Sequence, residues 1–119
     1  MSKKVIAVDI GASSGKMAFG EFDGSQLLIR EYRDFVNRPV EIGTALYWDV
    51  FSLDNAIIDG MAYFKEKYGE ADTVAIDTWG ASYGLLDKKG RLMEPVYHYR
   101  DERTRTTIQD MNDVMDTYE

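Results

Sequence analysis

A carboxylate, a run of small residues and a lysine follow one another near the start of the chain. The apolar run Val5–Ile10 predicts a buried strand, and Asp9 lies at its end. The loop that follows, Gly11–Gly15, offers N–H groups from Ala12 onward and the Ser13 and Ser14 hydroxyls, and Lys16 adds a positive charge. Converging N–H groups bind phosphate, and a carboxylate beside them binds a divalent cation. This order predicts a metal–nucleotide site.

A plain glycine–serine hairpin turn is the alternative for this segment, because short glycine motifs have many false positives. The segment is not a P-loop, since it lacks the spacing G-x-x-x-x-G-K-[ST] and a strand rather than a helix is predicted after it.

A second candidate lies at Asp77–Gly80, directly after the predicted strand Thr73–Ile76. Trp79 offers a flat apolar face to the C–H side of a polyol, and Gly80 lets a ligand approach the backbone. The segment therefore suggests a sugar or metal contact. The alternative is a strand-end turn with Trp79 packed in the core, which is the usual place for a large aromatic side chain.

A third mixed segment, Tyr97–Thr104, combines aromatic and charged residues. Arg100 or Arg103 is placed to face an anion or a hydroxylated ligand, and a surface network of charges is the alternative. His98 is the only histidine and the chain has no cysteine, which argues against a zinc site. We interpret His98 as a packed strand residue.

Composition limits the partners. A chain of 119 residues with 45% apolar and 29% charged residues has the make-up of one globular domain. The net charge of −7 argues against nucleic acid or an anionic membrane as the main partner. No apolar run approaches the roughly 20 residues of a membrane span, and no secretory signal precedes the first strand. We therefore expect a cytoplasmic protein that binds small molecules.

The predicted element order is β-β-β-α-β-(β)-α. The first three strands, Val5–Ile10, Met17–Phe22 and Leu27–Phe35, form an antiparallel meander with a turn at Asp23-Gly24. A loop is predicted at Glu41–Thr44, and a helix is predicted from an N-cap at Ser52 to Gly69. Its apolar positions recur at helical spacing and predict a core stripe: Leu53, Ala56, Ile57, Gly60, Met61, Phe64 and Tyr68.

The helix leads into the second strand group. Thr73–Ile76 is predicted to be a buried strand beside the first, so the Asp9 loop and the Asp77–Gly80 turn should share one edge of the sheet. A second hairpin is expected around Asp87–Gly90, followed by an extended segment at Val96–Tyr99. Asp101 is expected to cap a last helix with an apolar face, formed by Ile108, Met111, Met115 and Tyr118.

Five segments in this order resemble the FGGY carbohydrate kinases of the actin/Hsp70/hexokinase ATPase superfamily, and within them the rhamnulokinases. The segments are Val8–Lys16, Tyr47–Val50, Ile76–Gly80, Gly84–Asp87 and Tyr99–Thr104. The resemblance covers nearly the whole chain. It implies an α/β fold of the ribonuclease H-like type, with a five-stranded mixed sheet and helices. Residues 1–119 would be a fragment of the N-terminal kinase domain, and the C-terminal domain would lie outside this chain.

The resemblance also implies an activity and a set of site residues. ATP and Mg²⁺ would be bound, and the γ-phosphoryl group would pass to the 1-hydroxyl of L-rhamnulose. Asp9 would lie near the metal and the transferring phosphoryl group. The phosphate contacts would come from Ala12, Ser13, Ser14, Gly15 and Lys16, and the sugar pocket would be lined by Trp79, Gly80 and Ala81.

Three departures from the family pattern keep alternatives open. Lys16 stands where the family usually has arginine, and Ala81–Tyr83 replaces a usual Val-Asp-Phe. The second change leaves another ketose or polyol (xylulose, fuculose or gluconate) as an alternative substrate. The family's general base lies beyond Glu119, so the chain alone is expected to be inactive and to self-associate through exposed apolar surface. A non-catalytic ATPase-like binding module is the remaining alternative.

Overall fold

The computed structural model describes residues 1–115, which form two compact units. Unit 1 contains Met1–Arg38 and Asp49–Gly80, and unit 2 contains Pro39–Trp48 and the chain from Ala81 onward. The strands are β1 (Lys3–Ile10), β2 (Ser14–Phe22), β3 (Leu27–Val36), β4 (Pro39–Ile42), β5 (Ala45–Trp48) and β6 (Thr73–Thr78). The helices are α1 (Val50–Tyr68), a 3₁₀ turn at Glu102–Thr104 and α2 (Thr107–Asn112).

Unit 1 is built on a mixed sheet with the strand order β3-β2-β1-β6. Strand β1 is antiparallel to β2 and parallel to β6, and β2 is antiparallel to β3. The predicted meander and the parallel return after a helix are therefore confirmed. The described residues supply four strands of this sheet, where the resemblance implies five.

Helix α1 begins earlier than predicted. Its N-cap is Asp49, which accepts a hydrogen bond from the Ser52 backbone N–H at 3.1 Å, so the prediction of Ser52 as the N-cap is wrong. The Ser52 hydroxyl instead donates to the Asp49 carboxylate at 2.7 Å. An aspartate at this position satisfies an orphan N–H of the first turn as well as a serine does. The helix ends at Gly69 as predicted, where φ is +86°.

The core of unit 1 lies between α1 and one face of the sheet. Ile6, Val8, Met17 and Phe19 are buried against Phe64. The predicted helical stripe is confirmed, since its members are buried or half-buried. Gly60 permits the close approach, because a Cβ built there would lie 2.3 Å from the Met17 sulfur. The apolar positions of β1 and β2 thus face α1, and the alternate positions face away from it.

Strand β6 is exposed along its whole length, so its prediction as a buried strand is wrong. Val74 is 39% exposed and Ile76 is 58% exposed. The apolar run led to the error, because it does not show whether a strand lies inside a sheet or at its edge. Strand β6 is the edge strand after β1, and no described strand pairs with its outer side.

A cluster around Glu31 joins β3 to the last turns of α1. The Lys67 ammonium and the Tyr68 hydroxyl donate to its carboxylate, each at 2.8 Å, and the Tyr63 hydroxyl donates at 2.9 Å. Lys67 and the two tyrosines lower the pKa of Glu31 from 4.5 to about 2. Because the pKa is depressed in the folded state, the stabilisation is present above pH 4.5 and is lost as the pH falls toward 2.

We therefore expect Glu31→Gln to lower the melting temperature at neutral pH. The difference from the parent protein should shrink as the pH falls through 4 toward 2, because protonated Glu31 then resembles glutamine. Thermal melts by circular dichroism across this pH range measure the effect. Glu66→Gln, the same change at an exposed position of α1, is the control and should show no such pH dependence. Parallel curves for the parent and Glu31→Gln would contradict the role given to this cluster.

Unit 2 contains a hairpin that the sequence analysis missed. Strands β4 and β5 pair where a loop was predicted at Glu41–Thr44. Gly43 adopts φ +63° in the turn, a conformation that glycine reaches without strain. The sequence pattern did not indicate these strands because each has only four residues and the first begins with Pro39, a residue that usually interrupts a strand. Tyr97 forms a bridge with Tyr47, so the extended segment predicted at Val96–Tyr99 lies against β5.

The rest of unit 2 corrects two predictions. The hairpin around Asp87–Gly90 is present as a single bridge between Leu86 and Leu92. Asp101 caps the 3₁₀ turn rather than a long helix, and accepts from the Arg103 N–H at 3.0 Å. The apolar face expected on the last helix is wrong for its described members, since Ile108 and Met111 in α2 and Met115 beyond its end are 75%, 53% and 66% exposed. Tyr118 lies outside the described residues.

Among the described residues, no helix is long and apolar enough to cross a bilayer.

Candidate functional site

Four charged residues lie in register across the sheet of unit 1, one from each strand. Lys16 on β2 pairs with Asp34 on β3 and with Asp9 on β1, and Asp9 pairs with Asp77 on β6. Side chains at paired positions project from the same face of a sheet. This charged row, Asp34–Lys16–Asp9–Asp77, therefore lies on the face opposite α1, near the carboxyl ends of β1 and β6.

Lys16 forms an ion pair with Asp34 at one end of the charged row. The Lys16 ammonium lies 3.1 Å from an Asp34 carboxylate oxygen and 5.3 Å from the centre of the Tyr32 ring. The Lys16 and Asp34 side chains are 53% and 74% exposed, and pairs this exposed contribute about 0–1 kcal/mol. Lys16 is thus bound only weakly to Asp34, and a more highly charged anion can compete with Asp34 for it.

The other end of the row is two adjacent carboxylates. Asp9 and Asp77 are exposed, and their carboxylates form no hydrogen bond or ion pair with any described residue. Like charges directly opposite on neighbouring strands destabilise a sheet, and a bound cation removes that cost. No group of three or more metal-ligating side chains occurs within residues 1–115. The pair fits Mg²⁺, which is held by one or two carboxylates with phosphates and water as the other ligands.

The loop between β1 and β2 turns its carbonyl groups inward. The Gly11 N–H donates to the Ser14 carbonyl at 2.9 Å, which closes a tight turn. The Ala12 and Ser13 N–H groups donate to no described residue. Two glycines permit this geometry, because an added Cβ would lie 2.7 Å from the Ser14 carbonyl oxygen at Gly11 and 2.0 Å from the Phe35 ring at Gly15. Unpaired N–H groups beside a carboxylate suit a phosphate chain with its metal.

Asn37 contacts this loop from behind, and the sequence analysis missed it. Its side-chain Nδ2 donates to the Gly11 carbonyl at 2.7 Å, and its backbone N–H donates to the Ser13 carbonyl at 3.2 Å. In the sequence, Asn37 lies between the predicted strand Leu27–Phe35 and Pro39. No motif links it to a loop 26 positions earlier, and only the pairing of β2 with β3 brings the two together.

The turn after β6 lies beside the loop between β1 and β2, as predicted. Ile10 and Thr78, the last residues of β1 and β6, are paired in register, and the Thr78 hydroxyl donates to the Ile10 carbonyl at 3.4 Å. Trp79 is half-buried and is not part of the buried core. Gly80 is exposed, and a Cβ built there would meet nothing within 4 Å. A ligand can therefore approach the backbone at Gly80.

Unit 2 has its own cavity, of about 150 Å³. Ala81 lines it together with aromatic, hydroxyl and charged side chains: Ser82, Tyr83, Tyr97, His98, Tyr99, Asp101, Arg103 and Thr104. The Trp48 indole N–H donates to the Ser82 hydroxyl at 2.8 Å, which fixes one wall. Aromatic faces next to hydroxyl and charged groups suit a small polyol. The residues that depart from the family pattern, Ala81–Tyr83, lie in this wall.

Arg103 and His98 of unit 2 contact neighbouring side chains of the same unit. The Arg103 guanidinium lies 3.6 Å from the centre of the Tyr97 ring, and its Nε lies 3.8 Å from an Asp101 carboxylate oxygen, which supports the charge-network alternative for this residue. His98 is buried, its ring lies 3.9 Å from that of Trp48, and its Nδ1 accepts from the Arg100 N–H at 3.0 Å. Burial lowers the pKa of His98, with a smaller effect from Arg100. The prediction that His98 is packed is confirmed, but the residue lies outside the strands of the structure.

Asp101 holds the 3₁₀ turn to the β5 strand. Its carboxylate accepts from the Leu46 N–H at 2.7 Å and from the Arg103 N–H at 3.0 Å. The Leu46 N–H is the main cause that lowers the pKa of Asp101, so the group is an anion at neutral pH. Asp101 therefore sets the position of the cavity wall in unit 2.

Comparison with known proteins confirms the resemblance. The chain is 38% identical to rhamnulokinase of Bacteroides thetaiotaomicron over 87% of its length, which is 21% of that relative. It is 39% identical to rhamnulokinase of Bacillus subtilis over 86% of its length, again 21% of the relative. The chain thus spans about a fifth of the length of the curated relatives it matches. No family model matches it.

Solved structures confirm the fold. Gluconate kinase from Lactobacillus acidophilus aligns with 96% of the chain at a TM-score of 0.75 and 13% identity, over 23% of its own chain. Xylulose kinase from Rhodospirillum rubrum aligns with 97% of the chain at a TM-score of 0.73 and 18% identity, over 24% of its own chain. The chain has the fold of the corresponding part of these sugar kinases, the actin/hexokinase-like ATPase fold.

Proposed function

We propose that the chain is the N-terminal part of an ATP-dependent sugar kinase that phosphorylates the 1-hydroxyl of L-rhamnulose. The observation that carries this proposal is the charged row beside the loop of unpaired N–H groups. A phosphate chain needs hydrogen-bond donors and a cation in one place. The N–H groups of Ala12 and Ser13 are the donors. Lys16 is a cation, and Asp9 would bind a metal cation. The similarity to rhamnulokinases supports L-rhamnulose as the sugar, and ATP as the donor supports a cytoplasmic location.

In this proposal each site residue has a defined task. The Ala12–Gly15 loop binds phosphate oxygens through N–H and hydroxyl groups, and Lys16 leaves Asp34 to neutralise phosphate charge. Asp9 holds the metal, with Asp77 as its neighbour. Bound Mg²⁺ would draw charge from the phosphate oxygens during transfer. The sugar 1-oxygen forms a bond to the γ-phosphorus, the bond to the β,γ-bridging oxygen breaks, and the hydroxyl proton passes to a base expected beyond Glu119.

The remaining assignments concern the sugar. Trp79 and Gly80 are proposed as sugar contacts at the turn after β6 in unit 1. Ala81, which lines the cavity of unit 2, is proposed separately as a sugar contact there. Xylulose, fuculose or gluconate is the alternative substrate, because Ser82 stands where the rhamnulokinase pattern has an aspartate and sugar specificity rests on individual hydrogen bonds.

The experiment is a substrate panel on the complete protein of which this chain is proposed to be the first part. ATP consumption is measured by a coupled assay with L-rhamnulose, L-fuculose, D-xylulose and gluconate. The proposal expects the highest kcat/KM with L-rhamnulose. A higher value for another sugar would overturn the substrate and retain the kinase. Nucleotide binding without turnover on any sugar would favour the non-catalytic binding module.

Removing the partner of Lys16 should improve nucleotide binding. Asp34→Asn frees the ammonium, and an exposed pair of this kind contributes about 0–1 kcal/mol. We therefore expect the KM for ATP to fall, by at most about fivefold, with kcat unchanged. Steady-state kinetics at low ionic strength measure the change, since salt screens such pairs. Asp54→Asn, an exposed change on α1, is the control, and an unchanged KM in Asp34→Asn would contradict the task given to Lys16.

The chain produced by itself is proposed to self-associate through β6. The outer edge of this strand presents backbone N–H and C=O groups, and exposed Val74 and Ile76 add apolar surface. Such edges pair with other strands, and a lysine on the edge prevents the pairing. Light scattering at high concentration should show a dimer or larger species for the parent chain and a shift toward monomer for Ile76→Lys. A monomeric parent chain would refute self-association.

A further inference from the structure

We propose that Asn37 is a positioning residue that orients the phosphate-binding loop. This inference rests on the proposed function and assigns Asn37 a task that no motif in the sequence indicates. Asn37 donates two hydrogen bonds to the same short loop. Its Nδ2 donates to the Gly11 carbonyl at 2.7 Å, and its backbone N–H donates to the Ser13 carbonyl at 3.2 Å. Both contacts use donors of Asn37 and acceptors of the loop.

The geometry of the peptide unit converts these contacts into an orientation of the loop donors. In a trans peptide the C=O and the following N–H point in opposite directions, and the chain contains no cis peptide within its described residues. Holding the Gly11 carbonyl toward Asn37 therefore turns the Ala12 N–H away from it. Holding the Ser13 carbonyl in the same way turns the Ser14 N–H outward. Asn37 thus sets the direction in which the loop offers its donors.

The environment of Asn37 indicates that the donor is what matters. The residue is only 2% exposed, and its Oδ1 has no hydrogen-bond partner. A buried oxygen without a hydrogen-bond partner destabilises the fold, so an asparagine at this position needs a reason other than its volume. The Nδ2 bond supplies one, because without it the Gly11 carbonyl loses this partner and the Gly11–Ala12 peptide is free to rotate. A rotated peptide would point an oxygen at the phosphates instead of an N–H.

Asn37→Asp and Asn37→Ser together test the inference: the first keeps the size and shape of the side chain but replaces the donor with a negative charge, and the second is too short to reach Gly11 and adds no charge. The proposal expects the KM for ATP of the complete protein to rise by about tenfold, the cost of one lost bond in a shielded place, while the KM for the sugar changes by less than about twofold. Assays from neutral pH downward should show the defect shrinking relative to the parent, because a protonated Asp regains a donor. Asn55→Asp, the same change at an exposed site on α1, should leave both KM values unchanged.

Hydrogen exchange separates this inference from the proposed function. The Gly11 amide is bonded to the Ser14 carbonyl in the parent loop, so its exchange by NMR should become about tenfold faster in Asn37→Asp. Absence of ATP-dependent phosphorylation in the parent would overturn the proposed function, and this exchange rate would still decide whether Asn37 orders the loop. Unchanged exchange and unchanged KM for ATP would overturn the inference. If Asn37→Asp does not fold, Asn37→Ser alone decides, with the same expectations.

Discussion

Asp9→Asn is expected to reduce kcat for sugar phosphorylation by about a hundredfold or more, with little change in sugar affinity. Charge stabilisation of a transferring group accounts for losses of this size when one preorganised element is removed. Asp9 carries this charge because it forms no ion pair with a described residue and lies one residue before the end of the strand that leads into the loop. The amide of asparagine keeps the shape and removes the negative charge that holds the metal. Steady-state kinetics together with sugar binding by calorimetry separate the two effects.

The charged row supplies matched controls for this prediction. Asp34→Asn is the same change in the same row, two strands away from Asp9, and should leave kcat unchanged. Asp77→Asn is the same change on the neighbouring strand and should have an intermediate effect, because Asp77 is placed as a second carboxylate near the metal. Equal losses of kcat and sugar affinity in Asp9→Asn would contradict the task assigned to it. Equal kcat losses in all three variants would show a general charge effect.

Gly11→Ala is expected to remove most of the nucleotide affinity. A Cβ at this position would lie 2.7 Å from the Ser14 carbonyl oxygen, and both atoms are attached to the backbone of the loop. The clash is relieved only if the Gly11–Ser14 turn opens, which redirects the Ala12 and Ser13 N–H groups. The loss of two charge-assisted hydrogen bonds, each contributing about 1.5–3 kcal/mol, predicts a weakening of at least about a hundredfold. Calorimetric titration with MgATP measures it directly.

Gly80→Ala is the matched control for the Gly11 variant. A methyl group at Gly80 meets nothing within 4 Å, so folding and ATP affinity should be unchanged. If the sugar approaches the Gly80 backbone as proposed, the same variant raises the KM for the sugar alone. A variant that loses ATP affinity at Gly80, or keeps it at Gly11, would contradict the division of the site into a phosphate loop and a sugar turn.

The parts of the fold that were predictable are those carried by periodic or local signals. The α1 stripe from Leu53 to Tyr68 and the alternation in β2 repeat over many residues. The Asp23-Gly24 turn is local, because the Asp23 carboxylate accepts from the Ser25 and Gln26 N–H groups, each at 2.8 Å. The convergence of Asp9 and Asp77 followed from a helix between two strands, which makes those strands parallel. These features depend on short stretches of chain and general rules of connection.

The parts that were missed depend on contacts between distant segments. Asn37 donates to the carbonyl of Gly11, 26 positions earlier in the chain, and no residue next to it in the sequence indicates this contact. The capture of Lys16 by Asp34 required the β2–β3 register, and Phe19/Gly20 carries an irregularity that shifts this register. Exposure of β6 and α2 was misjudged, because apolar residues alone do not show which surfaces a folded chain covers. Asp101 was correctly named as a cap, but the helix it begins is a 3₁₀ turn.

The most direct test of the central claim is a crystal structure of the complete protein with Mg²⁺ and a non-hydrolysable ATP analogue. The account predicts that phosphate oxygens accept hydrogen bonds from the Ala12 and Ser13 N–H groups, that the metal lies beside Asp9, and that Lys16 has left Asp34. A phosphate chain bound elsewhere, with the Gly11–Gly15 loop empty and the Lys16–Asp34 pair intact, would contradict it.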